Sequence, residues 1–336
     1  MKKEIAYFAL VSNFDPLSKK LRSLWENYKD WFEIFRLLEN EFKIKKDWEK
    51  EWKEFEDMGG YLWWFDELPE NLKNIKPEPL ALFVLGKTFL EERIILGIVG
   101  TRKASEEGKN IAKSFAFKLA QAGLLIVSGA AFGIDTASHL GAIEAKKETI
   151  AIIGEGIDVF LKRRKNLASK ILDNGGMIVS EYALGTPGFS KNFPERNRLI
   201  AGLSNGILLI EVPEKSGALI TANFALEYGK DIFVVPHSIY HKNYFGGLKL
   251  VQKGAYLVLS PEDILEHYGL DYNLKQDFSL NEKERKILSL IEKEPKTLND
   301  LVRESDFNIE EILSILTFLE MKKLIINRAG YFYIRK

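Results

Sequence analysis

The sequence predicts an α/β fold in which helices cover both faces of a parallel sheet, with a small helical domain before it and a winged helix after it. Three observations predict this. Short apolar runs alternate with amphipathic helical segments through the middle of the chain, glycines stand where those runs end, and the last stretch reads as three short helices and a hairpin.

Residues 1–60 are rich in lysine, glutamate and tryptophan, and Trp31, Ile34, Phe35 and Leu38 return at helical spacing. This predicts a small helical domain of the SAM-like or helix-hairpin-helix-like kind. The Gly59-Gly60 pair breaks the pattern, and YLWWF and LALFVLG read as short strands around a loop bearing Pro69, Pro77 and Pro79. The core spans 61–270. It continues through ILGIVG, the helical SEEGKNIAKSFAFKLAQAG, LLIVSG, a helix near Thr136 to Ala145, TIAIIG, GILLIEV and DIFVVP. Parallel sheets present ligand-binding loops at the carboxyl ends of their strands, where Gly100, Gly129, Gly154 and Gly156 fall. A polar linker is expected over 271–280 and a winged helix over 281–336. In the latter, Leu301 and Val302 mark the second helix, Ile312, Ile315, Leu316 and Leu319 the third, and LIINRAGYFYIRK a hairpin turning at Ala329-Gly330.

Composition bounds the function. The 336 residues hold 48 basic and 48 acidic side chains, so attraction to a polyanion must come from local patches. With no cysteine, disulfides, thiolate nucleophiles and the common zinc-finger spacings are excluded. The start MKKEIAYFALVSNF lacks a long apolar region and a cleavage pattern, and no run of about 18 apolar residues follows. The expectation is a cytoplasmic protein with no membrane partner.

Three clusters fall on the expected carboxyl-end loops. Gly100, Thr101, Arg102 and Ser105 lie between a strand and a helix, where free N–H groups and a guanidinium would seat a phosphate; Ser105 equally suits a plain helix cap. Arg196, Asn197 and Arg198, in FPERNR, suit two-pronged phosphate contacts and contacts to a base edge, or else an ion-paired helix surface with Glu195. Ser216, Gly217 and Thr221 stand at a third strand-to-helix turn, again as a phosphate seat or a cap. Their common placement on one sheet edge points to a single crevice. The run Lys162, Arg163, Arg164 and Lys165 is the strongest basic cluster, and with Lys191 it marks either further phosphate contacts or a solvated surface.

Other chemistries fail on spacing. Gly86-Lys87-Thr88 lacks the first glycine of a phosphate-binding loop, Ala81 standing there, and Gly154-Glu155-Gly156 lacks the third glycine of a dinucleotide fingerprint, Val159 standing there. His237 and His241 lack the glutamate of a zinc protease, so neither a cofactor nor a metal is expected. His139 reads as a packed histidine at a helix–sheet boundary more readily than as a base poised by Asp135.

GTRKAS, SGAAFGIDTASH, GEGIDV, SEY with FPERNRLIAGLS, SGALITANFALE and QKGAYLV occur in the order seen in DprA/Smf proteins, which the chain resembles from about Leu68 to Leu265. The resemblance implies an extended Rossmann-like core that binds single-stranded DNA, forms a homodimer and hands the strand to a RecA-type recombinase in natural transformation or recombination. It carries the phosphate pocket onto the same three clusters. Phe132 stands where the family often has a basic residue, His237 where a glycine commonly follows, and Leu161-Lys162 where it has tyrosine-proline. The rival reading is a nucleotide-processing, phosphoribohydrolase-like enzyme with Glu181 or Glu211 as its carboxylate. A third makes the winged helix the DNA reader; Glu310, Glu311 and Glu320 on its third helix oppose that.

Overall fold

A computed structural model of the chain describes residues 1–44, 46–88, 90, 93–238, 240–270, 281–321, 324–328 and 330–334. The expected linker at 271–280, and Ala329 of the expected hairpin turn, lie outside the described residues. The chain forms two compact units, Met1–Asn273 and Leu274–Lys336.

The first unit opens with helices α1 (Lys3–Asn13), α2 (Lys19–Tyr28), α3 (Trp31–Leu38) and α4 (Trp48–Asp57). There follow β1 (Gly60–Trp64), α5 (Glu70–Lys73), β2 (Ala81–Gly86), β3 (Ile95–Gly100), α6 (Glu106–Gln121), β4 (Leu125–Ser128), α7 (Ile134–Glu144) and β5 (Thr149–Ile153). Next come α8 (Ile157–Arg163), α9 (Lys165–Asp173), β6 (Met177–Ser180), α10 (Asn192–Leu203), β7 (Gly206–Ile210) and α11 (Gly217–Glu227). The unit ends with β8 (Asp231–Val234), α12 (Phe245–Val251), β9 (Tyr256–Leu257) and α13 (Pro261–His267).

The strands form one sheet in the order β1-β2-β6-β5-β4-β3-β7-β8-β9. Its central strands are mostly apolar because helices cover both faces; β4, β5 and β7 are buried along their whole length, and β3 up to its last residue. The sequence predicts a parallel sheet, and the sheet departs from that at β2, which is antiparallel to both β1 and β6. Residue periodicity marks a strand and is silent on its direction.

Residues 1–60, expected as a separate helical domain, supply aromatic side chains to a core shared with β2. Tyr7 packs edge-on to Trp31 at 4.8 Å and Phe8 to Phe83 at 6.1 Å, and Trp52 and Phe55 close the same cluster. Asp30 starts α3 by accepting from the N–H groups of Phe32 and Glu33.

His139 on α7 is completely buried. Its Nδ1 lies 2.8 Å from the Thr149 hydroxyl, which itself donates to the Ile126 carbonyl, so Nδ1–H must donate to Thr149. Burial pushes its pKa down to about 3. It is a neutral packing group between helix and sheet, as the simpler sequence reading has it.

The second unit contains α14 (Glu282–Lys293), β10 (Lys296–Thr297), α15 (Leu298–Glu304), α16 (Ile309–Met321), β11 (Ile325–Arg328) and β12 (Tyr331–Ile334). Leu301, Ile312, Ile315, Leu316 and Leu319 meet Ile287 and Phe332 in one core, which makes this a winged helix. A third strand, too short to read from the sequence, pairs beside the hairpin in the order β10-β12-β11.

Candidate functional site

The loops after β3, β4 and β7 and the first turns of α10 and α11 enclose a crevice of about 470 Å³ at the carboxyl edge of the sheet. Among its lining residues are Gly100, Thr101 and Arg102, Arg196 and Asn197, and Ser216, Gly217 and Thr221. The three sequence clusters therefore meet in one place, but they do so unequally.

Arg102 is exposed, with its guanidinium 4.9 Å from the centre of the Phe193 ring, and none of the ion pairs among the described residues involves it. It presents a cation and an aromatic face to the crevice together. Arg196, expected on an exposed loop end, is only 4% exposed. Its Nη1 donates to the Gly129 carbonyl at 2.8 Å and to the Ile152 carbonyl, and its Nε to Asn197 Oδ1 at 3.2 Å. Gly129 is needed for this: a Cβ there would stand 2.5 Å from the guanidinium. Burial pulls the Arg196 pKa down to about 10, so it stays cationic and charges the crevice floor from beneath.

Asn197 Nδ2 donates to the Gly217 carbonyl, which ties α10 to the start of α11. Ser216 caps α11 by accepting from Ala218 N–H, so the capping reading holds at that turn while the residue still lines the crevice. Thr221 is buried in the wall.

Two predicted residues do not line the crevice. Ser105 caps α6, accepting from Gly108 N–H at 3.0 Å, and its own N–H and hydroxyl both donate to the Glu211 carboxylate. The anion seated on that helix end is the protein's own. Arg198 is 1% exposed and ion-paired with Glu181, with Nη2 donating to Oε1 at 2.6 Å. It holds α10 to the end of β6.

The basic run divides similarly. Arg163 pairs with Glu155 and Lys191 with Asp15, Arg164 is buried, and Lys162 and Lys165 are exposed. Sequence reasoning overlooked Phe193 and Asp135, both in the lining. Among the described residues, no group of three or more potential metal ligands occurs, and no helix is long and apolar enough to cross a membrane.

The model of the DNA recombination-mediator protein A family matches residues 61–269, and that of the DprA winged helix domain matches 275–330. The chain is 39% identical to protein Smf of Escherichia coli over 207 residues, which is 61% of this chain and 55% of that one, so it spans about half of that relative. It is 37% identical over 216 residues to DNA processing protein DprA of Streptococcus pneumoniae, covering 64% of this chain and 76% of that one. The crystal structure of the S. pneumoniae protein superposes with a TM-score of 0.65 at 30% identity over 79% of this chain and 98% of that one. A structure of DNA processing protein A from Helicobacter pylori, described for its single-stranded DNA binding mode, gives 0.56 at 28% over 61% and 94%.

Proposed function

The chain belongs to the DNA recombination-mediator protein A family, and on that premise we propose that its crevice binds single-stranded DNA by phosphate contact and base stacking, with no bond made or broken. The observation that carries this is Arg102: a guanidinium with no ion pair among the described residues, beside the face of Phe193 and lining the same crevice as the buried Arg196. That combination suits a phosphodiester next to an unstacked base. The role extends to protecting the strand and passing it to a RecA-type recombinase. A homodimer through the core is supported by Tyr256, Leu257 and Leu259, apolar side chains exposed on and beside edge strand β9.

Support for binding over the enzyme reading comes from its two candidate carboxylates, neither of which lines the crevice. Glu181 is consumed by Arg198, and Glu211 by Ser105 and Asn243. The test is a fluorescence titration of the full chain with a single strand and a duplex of equal length across salt concentrations. Preference for the single strand without marked sequence dependence is expected; equal affinity for the duplex would overturn the reading.

Asp135 makes the binding pH-dependent. It is buried in the crevice lining, and burial lifts its pKa from 3.8 to about 6 against the opposing charge of Arg196. Stability linked to this group is complete below 3.8 and is lost as pH rises through about 6. An arriving phosphate disfavours the carboxylate further, so affinity is expected to rise severalfold as pH falls from about 7 to about 5. Asp135→Asn should bind at the higher pH as the unaltered chain does at the lower one, with a flat profile; a profile as steep as before removes Asp135 from the site.

A further inference from the structure

Beside the crevice lies a second recess of about 430 Å³ that the proposed function does not use, lined by Phe132, Thr136, Lys162, Arg164, Lys165 and Lys170 among others. Its centre is Arg164. This side chain is 8% exposed; its Nη2 donates to the Thr136 hydroxyl at 2.8 Å, and Nη1 finds no acceptor. Arg198 and Arg163 each have a carboxylate, but no ion pair among the described residues involves Arg164. Asp135 and Glu155 act on this cation only through space, and an anion from outside would give it the direct partner it lacks.

Two further features aim the recess at a phosphate group carrying a base. Arg164 is the N-cap of α9, a nine-residue helix whose start has no side-chain cap and no acidic residue in its first turn, so no side chain of its own occupies that end. Phe132, 62% exposed, lies over the Arg164 guanidinium at 4.0 Å and turns its other face to solvent. A ring held rigid on one side and bare on the other is a stacking platform. A narrow cleft lined by Arg102 and Phe193, and also by Phe132 and Arg163, joins the recess to the crevice.

We propose that this recess is a second nucleotide seat, in which a single strand leaving the crevice stacks a base on Phe132 and places a phosphodiester against Arg164, the start of α9 and the neighbouring lysines. The seat rests on the crevice reading, and it commits to a strand rather than an acidic protein because it continues the crevice and offers an aromatic face.

The test is binding of labelled oligothymidylates of about 5 and about 15 nucleotides to the full chain, lengths that bracket one seat and a continuous track. The longer strand should bind more tightly. Phe132→Ala, and separately Lys162→Ala with Lys165→Ala, should each remove about tenfold of the longer strand's affinity, and the lysine pair should also lower its log-log salt slope by about 1.4. Short-strand affinity should stay within about twofold, since none of these residues lies in the crevice; all three are exposed, so folding is preserved. Arg102→Ala should weaken both lengths. A length advantage unchanged in both variants overturns the seat, and leaves the recess to an acidic protein segment. A short strand that fails to bind overturns the crevice reading instead, and the seat then stands only if the longer strand binds and loses affinity with Phe132→Ala. If thymidine monophosphate in modest excess erases the length advantage, the occupant is a free nucleotide and the strand proposal falls.

Discussion

Arg198→Ala is expected to destabilise the Met1–Asn273 unit by about 3–5 kcal/mol, read as a lower urea midpoint at an unchanged slope. Removing the guanidinium leaves the Glu181 carboxylate, 1% exposed, without its counter-ion. The loss therefore reports an abandoned charge more than the worth of the pair. Arg198→Met combined with Glu181→Leu removes both charges and should recover most of the stability, helped by the fact that Nε and Nη1 of Arg198 lack acceptors already. Single-strand affinity should follow stability, falling in the single variant and returning in the double one, because Arg196 and Asn197 sit on the same helix. A double variant that is stable yet fails to bind would put Arg198 back among the DNA contacts.

The same helix shows how far the sequence can be read. Consecutive helical residues are turned about 100° apart, so Arg196, Asn197 and Arg198 cannot all face one crevice. Of the α10 residues that do, Phe193, Arg196, Asn197 and Ile200 follow the i, i+3, i+4, i+7 spacing of a single face, and Pro194 borders them in the first turn. That spacing is enough by itself to include Phe193, whereas Arg198 is taken out of the crevice by its ion pair with Glu181. The capture of Ser105 has no such local signal: it depends on Glu211, 106 residues away, held at the end of β7 with a φ of 52° that few non-glycine residues adopt. Strands, glycine-ended loops and helix caps are local and legible. The choice between a phosphate and a carboxylate as the anion on α6 is a long-range contact, which residue spacing does not encode.

Arg102→Ala is expected to weaken single-strand binding by about 10- to 100-fold, the worth of a charge-assisted hydrogen bond to phosphate, while the fold changes by about half a kcal/mol or less. The side chain is exposed and packs beside the Phe193 ring, so its removal opens no cavity in the core. One phosphate fewer is neutralised, and the log-log salt slope should fall by about 0.7. Arg102→Lys should restore the slope but only part of the affinity, since an ammonium cannot make a two-pronged contact. Arg196→Ala differs in kind: it strips donors from the Gly129 and Ile152 carbonyls and takes the opposing cation away from Asp135, so unfolding shifts along with binding. The two arginines are thus separable by measuring stability and affinity on the same samples. If Arg102→Ala stays folded and binds single strands with unchanged affinity and slope, the crevice is not the strand's path, and Lys162 with Lys165 becomes the next pair to replace.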